Sequence, residues 1–263
     1  MLTETLLDQS PLWLLFALTV VWLFAGNELG YRLGDRRRRD DEKAPAATIM
    51  GSTLGLLAFI LAFTFGMSST RFDARRQLVL DEASAILRTY QRAQFLPEEQ
   101  RTESSELLRE YVSVRNRVAG EQDLARLGEA IAESNRIQSA MWSAVEPLAA
   151  SPNAILSAFL TSLTDLSDIQ MKRVRAAVWN RIPPTILVAL YSIAFLAMMA
   201  MGYGTGLTAG RAFVPTLMLV LTFSSVIILI NDLERPVQTL FSVNQEPMLD
   251  VESRIEADRM SSS

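Results

Sequence analysis

Phe59 and Phe63 stand one helical turn apart in a stretch, residues 48–70, that is apolar enough to cross a bilayer. At roughly 100° per residue, Thr48, Ser52, Gly55, Phe59, Phe63, Gly66 and Thr70 share one stripe, and Met50, Leu54, Leu57, Leu61 and Phe65 fall mostly opposite. The aliphatic side suits lipid. The other side offers hydroxyls, bare backbone at the glycines and two aromatic rings. Repeated around a symmetry axis, one phenylalanine per chain becomes a ring, and an apolar ring gates ions by drying. Thr48, Ser52 and Thr70 could then solvate an ion at the mouths, although hydroxyls in membrane helices more often bond their own backbone carbonyls. Plain packing is the competing account. Gly51, Gly55, Ala58, Ala62 and Gly66 also let membrane helices approach closely, and Gly51 and Gly55 form a GxxxG pair.

Carboxylates give a second set of candidates. Asn27 and Glu28 close the first apolar run, and an acid at membrane depth is a functional hypothesis by default. Arg32 lies one turn further on, so a surface pair at i,i+4 is the simpler account of Glu28. Asp232, Glu234 and Arg235 end the last apolar run, where charges are expected in the interface and carboxylates could draw cations to a vestibule. The 263-residue chain contains no cysteine and no histidine. That removes disulfides, thiolate nucleophiles, imidazole bases and the commonest zinc sites. An enzyme would have to take its acid–base pairs from exposed Asp and Glu alone, so neither catalysis nor a metal or cofactor is expected. A formal net charge of −4 and the lack of a Gly-rich phosphate loop argue against nucleic acid as a partner.

The elements that must carry these residues follow from hydropathy. With 49% hydrophobic and 21% charged residues, the chain combines membrane spans with a water-exposed part. Four apolar runs, 11–30, 48–67, 183–203 and 212–231, reach the roughly 20 residues that a bilayer core demands. The first has Glu4 and Asp8 before it and four arginines after it, unlike a cleaved signal, and is retained as a span. The spacing therefore predicts an all-α membrane protein. Residues 1–70 form one transmembrane hairpin, 183–235 a second, and 236–263 a C-terminal tail; the lipid bilayer is the first partner.

Residues 71–182, between the hairpins, read as a helical extramembrane domain. Its segments are separated by Pro97, Gly120, Pro147 and Pro152 and show helical stripes such as Val79, Ala83, Ile86 and Tyr90, then Leu107, Tyr111 and Val114. Later stripes join Ile137, Met141 and Val145, and Phe159, Leu163 and Leu166. With no breaker between Met67 and Phe95, the second span is expected to continue as one rod of roughly 45 residues, so that motion in the domain reaches the aromatic stripe. Pro183 and Pro184 predict a joint before the third span. Gly202, Gly204, Gly206 and Gly210 read as a flexible loop, and Pro215 fits the first turn of the fourth span.

Arg32, Arg36, Arg37, Arg38, Arg39 and Lys43 in the first short loop, with Arg211 in the second, place both loops in the cytoplasm and the helical domain outside it. Arg71, Arg75, Arg76, Lys172, Arg173, Arg175 and Arg181 on the domain side pull the other way, but long segments are translocated largely regardless of charge.

The order of two spans, a helical insert and two more spans resembles the bestrophin-like domain-of-unknown-function family of bacterial integral membrane proteins. The likeness is carried by residues 55–63 (Gly-Leu-Leu-Ala-Phe-Ile-Leu-Ala-Phe), by Asp81-Glu82-Ala83 leading to Tyr90 and Leu96-Pro97, and by Leu107-Leu108-Arg109-Glu110-Tyr111. Leu233-Glu234-Arg235-Pro236 resembles the family's Leu-Asp-Arg-Pro element. Through its namesakes, the resemblance implies a homo-oligomer, pentamer or tetramer, that conducts inorganic ions. True bestrophins are anion channels whose neck on the second span uses bulky apolar residues at i, i+4 and i+8; Phe59, Phe63 and Met67 have that spacing. Two departures are visible: no acidic run like the bestrophin calcium clasp follows the fourth span, and the short-loop bases put the middle region on the opposite side. The implied anion preference conflicts with the cation attraction expected of Asp232 and Glu234.

Three readings follow. The first is an oligomeric channel in the bacterial cytoplasmic membrane, lined by the second span. The second is a non-conducting scaffold or sensor whose helical domain binds a ligand or partner. The third, a motor-stator proton channel, needs an acid at a span centre, and no span centre holds one.

Overall fold

The computed structural model describes residues 10–36, 43–117, 124–151, 153–178, 182–208, 213–235 and 245–262. All are helical or in short connections, with no strand among the described residues. In chain order the helices are α1 (Leu12–Arg36), α2 (Lys43–Ala93), α3 (Glu98–Arg117), α4 (Leu124–Val145) and α5 (Ala154–Val178). They continue as α6 (Pro184–Leu207), α7 (Phe213–Glu234) and α8 (Glu246–Ser262). A 3-10 turn at Glu146–Ala150 follows α4, and Asn153 caps α5 by accepting a 2.8 Å bond from the Leu156 N–H. Expectations that rested on Arg37, Arg38, Arg39, Gly120, Pro152, Arg181, Gly210, Arg211 and Pro236 lie outside the described residues.

The chain divides into two compact units, Met1–Arg71 with Arg181–Phe241, and Phe72–Asn180 with Ser242–Ser263. The first unit holds the apolar helices. By length and composition α1, the N-terminal part of α2, α6 and α7 are able to cross a membrane. Their shared core contains Leu23, Leu57, Leu61, Leu190, Met198, Val220 and Ile227.

The tightest pairing in this unit is between α1 and α6. Gly26, Gly30 and Gly34 meet Phe195, Met199 and Tyr203, while Gly202 and Gly206 meet Asn27 and Tyr31. Because the partners advance together, the two helices run parallel, as the first spans of two hairpins on either side of a long insert must. At each of these glycines a Cβ would run into a backbone carbonyl of the other helix. Trp22 reinforces the pair, its Nε1–H donating to the Tyr191 carbonyl at 3.3 Å and its ring lying 4.7 Å from that of Phe195.

One glycine expectation is corrected here. Gly202, Gly204 and Gly206, expected as a loop, lie inside α6, which extends to Leu207. A helix buried against a neighbour recovers in close contact what glycine loses in backbone entropy. At Gly51 and Gly55, the GxxxG pair of α2, an added side chain would meet nothing within 4 Å among the described residues, so the pair does not pack against those residues.

In the second unit Val79, Ala83, Ile86 and Tyr90 of α2 pack with Leu108 and Tyr111 of α3, Ile137 and Met141 of α4, and Phe159, Leu163 and Leu166 of α5. The C-terminal residues, expected as a tail, contain α8, whose Met248, Val251 and Ile255 are buried in the same core. Polar ties hold α8 in place: Tyr90 Oη donates to Asp258 at 2.9 Å and Asn116 Nδ2 donates to Glu252 at 2.7 Å. The expected rod is present and unbroken, 51 residues long.

Gly30→Ala and Gly202→Ala are each expected to destabilise the purified protein by about 1–3 kcal/mol through overpacking. Gly128→Ala, on α4 with nothing within 4 Å, is expected to stabilise it by about 0.5–1 kcal/mol. Thermal unfolding of the three variants in one detergent checks the contrast.

Candidate functional site

Within the first unit, α2 has two faces. Leu57, Leu61, Thr64 and Ser68 are buried against the chain's own helices. Opposite them, Phe59 is 69% and Phe63 64% exposed, and Ser52, Gly55, Gly66 and Thr70 are exposed with them. Met67, at the edge of this face, is half-buried. Gly55 and Gly66 have open space where a side chain would project. The stripe residues thus share an exposed face of α2, turned away from the other described helices of the first unit. The hydroxyls on it are engaged locally: Ser52 Oγ donates to the Thr48 carbonyl at 3.0 Å and Thr70 Oγ1 to the Gly66 carbonyl at 2.9 Å.

The charged candidates divide. Glu28 is on the surface, accepting from Arg32 Nε at 2.8 Å as an i,i+4 pair, whereas neighbouring Asn27 turns toward α6 and donates to the Met198 carbonyl at 3.4 Å. Asp232, Glu234 and Arg235, expected in the interface, are buried. Glu234 Oε2 accepts the Ile182 N–H at 2.7 Å and lies 3.6 Å from Arg71 Nη1. Arg235 Nη2 donates to the Ser10 carbonyl at 2.8 Å, and its N–H donates to the Asp232 carbonyl at 3.2 Å. Ser10 precedes α1, Arg71 is on α2 and Ile182 precedes α6. The end of α7 thus fastens one end of all four apolar helices.

A polar centre not expected as a site, although Glu82 and Tyr111 lie in segments that carry the family likeness, is in the second unit, beyond the apolar run of α2. Glu82 is 0% exposed. Its carboxylate accepts from Tyr111 Oη at 2.5 Å and from Arg115 Nη2 at 3.3 Å, both on α3, and from Arg173 Nη1 on α5. Gln170, with Oε1 3.3 Å from the Tyr111 hydroxyl, donates through Nε2 to Asn135 Oδ1 on α4 at 2.8 Å. Four helices meet at this point. Burial alone would raise the Glu82 pKa, but Arg173 and Arg115 beside it, with the Tyr111 O–H, outweigh burial and hold the carboxyl below its ordinary value. Burial, then the Glu82 charge, pushes the Tyr111 hydroxyl well above its ordinary value. The centre is closed to solvent and holds helices together. A further sequence signal is that Glu82 sits in the stripe of Val79, Ala83 and Ile86, where an acid has to find partners.

No group of three or more potential metal ligands from His, Cys, Asp and Glu occurs among the described residues. An all-helical membrane protein, with four apolar helices in one unit and a charged bundle in the other, is the class these observations define. The chain belongs to the bestrophin-like family: residues 17–248 match the family described as Bestrophin-like domain. Its fold is similar to the crystal structure of a bacterial bestrophin homolog from Klebsiella pneumoniae, with a TM-score of 0.63 and 17% identity over 94% of this chain and 96% of that one. No curated protein matches the chain significantly.

Glu82→Ala leaves two guanidiniums around a vacated buried site and is expected to destabilise the second unit by about 3–5 kcal/mol, measured by thermal unfolding. The folded-state pKa of Glu82 lies below its unfolded value. Its contribution is therefore complete above the ordinary carboxylate range and is lost as the pH falls through the lowered value. Acid unfolding followed by circular dichroism is expected to be less pH-dependent in Glu82→Gln than in the unsubstituted protein.

Proposed function

We propose that this chain is one subunit of a homo-oligomeric ion channel, pentamer or tetramer, in the bacterial cytoplasmic membrane, with the exposed face of α2 lining the pore. The observation that carries this is the exposure of Phe59 and Phe63 on a face that also bears small and hydroxylated residues, while the opposite face of the same helix is buried. A face meant only for lipid has no use for Ser52, Gly55, Gly66 and Thr70. Around an axis these residues leave room for a path, and the rings of Phe59 and Phe63, flanked by Met67, close it as a dry neck. Membership of the bestrophin-like family supports the same reading. The bases of the first short loop support a cytoplasmic position for that loop and an extracytoplasmic one for the second unit.

Cations have no vestibule attractor in Asp232 and Glu234, which are buried. A non-conducting scaffold is the alternative, favoured by the local hydrogen bonding of Ser52 and Thr70, whose protons point into their own helix.

Purified protein in liposomes is expected to pass inorganic ions. Phe59→Ala and Phe63→Ala each widen the dry gap, and removing about 1.4 kcal/mol of barrier corresponds to roughly tenfold greater flux. Absence of flux, with indifference to both substitutions, would establish the scaffold instead. Ion substitution in the same assay reads the selectivity.

A further inference from the structure

Within the first unit the four apolar helices are held unequally. The α1–α6 pair is interlocked by five glycines at which no side chain fits. In α2, by contrast, a side chain added at Gly51, Gly55 or Gly66 would meet nothing within 4 Å among the described residues. Only 17% of its apolar window is buried, against 22% for α1 and 33% for each of α6 and α7. The helix that carries Phe59 and Phe63 is thus, like α1, less enclosed than α6 and α7.

A charged contact ties its end to α7. Arg71 is the last residue of α2 in the first unit. At roughly 100° per residue it lies on the flank of the buried face, near Thr64, Leu57 and Ser68, about 80° around the helix from Phe63 and about 120° from Phe59. Glu234 faces it at 3.6 Å and is itself fixed by the Ile182 N–H at 2.7 Å. Both side chains are largely enclosed, at 20% and 10% exposure. The charges are therefore only weakly screened by water. At 3.6 Å the pair attracts without a close hydrogen bond, so it gives way more readily than the interlocked backbones of α1 and α6.

We infer that Glu234 and Arg71 form a latch that sets the rotation of α2, and that releasing it lets α2 turn against the α1–α6–α7 block. Glu234 is a positioning residue: it keeps the Ser68 face inward, and so keeps Phe59 and Phe63 outward. The inference builds on the channel reading for what the latch controls, whereas the latch itself is read from the packing of the first unit alone.

The absence of native cysteine permits a direct test on the full chain. Ser68 is completely buried on α2, just past the apolar run, and its Oγ has no hydrogen-bond partner among the described residues. Ser68→Cys is therefore a conservative reporter. Leu190→Cys, completely buried on α6, is the control. Reaction of each with a water-soluble maleimide is measured in liposomes, with and without Glu234→Gln. A second variant, Arg71→Gln, leaves the Glu234 bond to the Ile182 N–H in place and is expected to act alike.

Release of the latch is expected to speed labelling at Ser68→Cys about tenfold and to leave Leu190→Cys unchanged, with ion flux rising in the same variants. Unchanged labelling at Ser68→Cys in both variants would overturn the latch, and equal acceleration at Leu190→Cys would overturn it in favour of general loosening. Faster labelling with unchanged flux would overturn its control of the neck. Labelling needs no conduction, so it succeeds or fails separately from the flux assay.

Discussion

Close approach of two backbones is the constraint on which the membrane part of this protein depends. Between helices in lipid there is no apolar surface to hide from water, and association rests on dispersion and on how near the chains come. In this chain Gly26, Gly30 and Gly34 on one helix and Gly202 and Gly206 on the other bring α1 and α6 together over their length, in parallel. Once that pair is set, the connecting segments oblige α2 and α7 to run the other way. Leu57 and Leu61 of α2 and Val220 and Ile227 of α7 complete the core around it. The burial that results is one-sided for α2, which leaves a whole face of that helix free of the described helices of its own unit.

The second unit solves a different problem by different means. Its helices carry many charges and pack through narrow apolar stripes, so their mutual positions need a further determinant. Glu82 supplies it by engaging residues of α3 and α5 directly, with Gln170 extending the contact to α4. A buried carboxylate facing two guanidiniums tolerates little sliding, because any shift strands a charge away from water.

Hydropathy and helical spacing made the four long apolar helices, the long α2 rod and the inward stripes of the bundle legible from residues alone. That Phe59 and Phe63 share one face followed from the helical period, and both are exposed in the structure. Glycine partnership was not legible. A GxxxG spacing says that a helix can approach something closely but not which helix, and the pattern at Gly51 and Gly55 is as good as the one at Gly202 and Gly206. Gly202, Gly204 and Gly206 also read as a loop because their flexibility is a local property, whereas their packing depends on α1, more than 160 positions away. The fate of Asp232, Glu234 and Arg235 depended similarly on partners remote in sequence, and charge alone suggested water. In α8 the apolar residues Met248, Val251 and Ile255 are too few among charged neighbours to reveal a buried face.

The second unit is also discontinuous: α2, α3, α4 and α5 are closed by a helix that comes after two further spans. On the ribosome its core therefore cannot be completed when Val178 emerges. The patch that Met248, Val251 and Ile255 will cover must wait until α6 and α7 have been synthesised and threaded into the bilayer. Integration of the second hairpin and maturation of the charged bundle become one ordered event, and a nascent chain arrested between them would display a bare apolar seam to the cell's quality-control machinery.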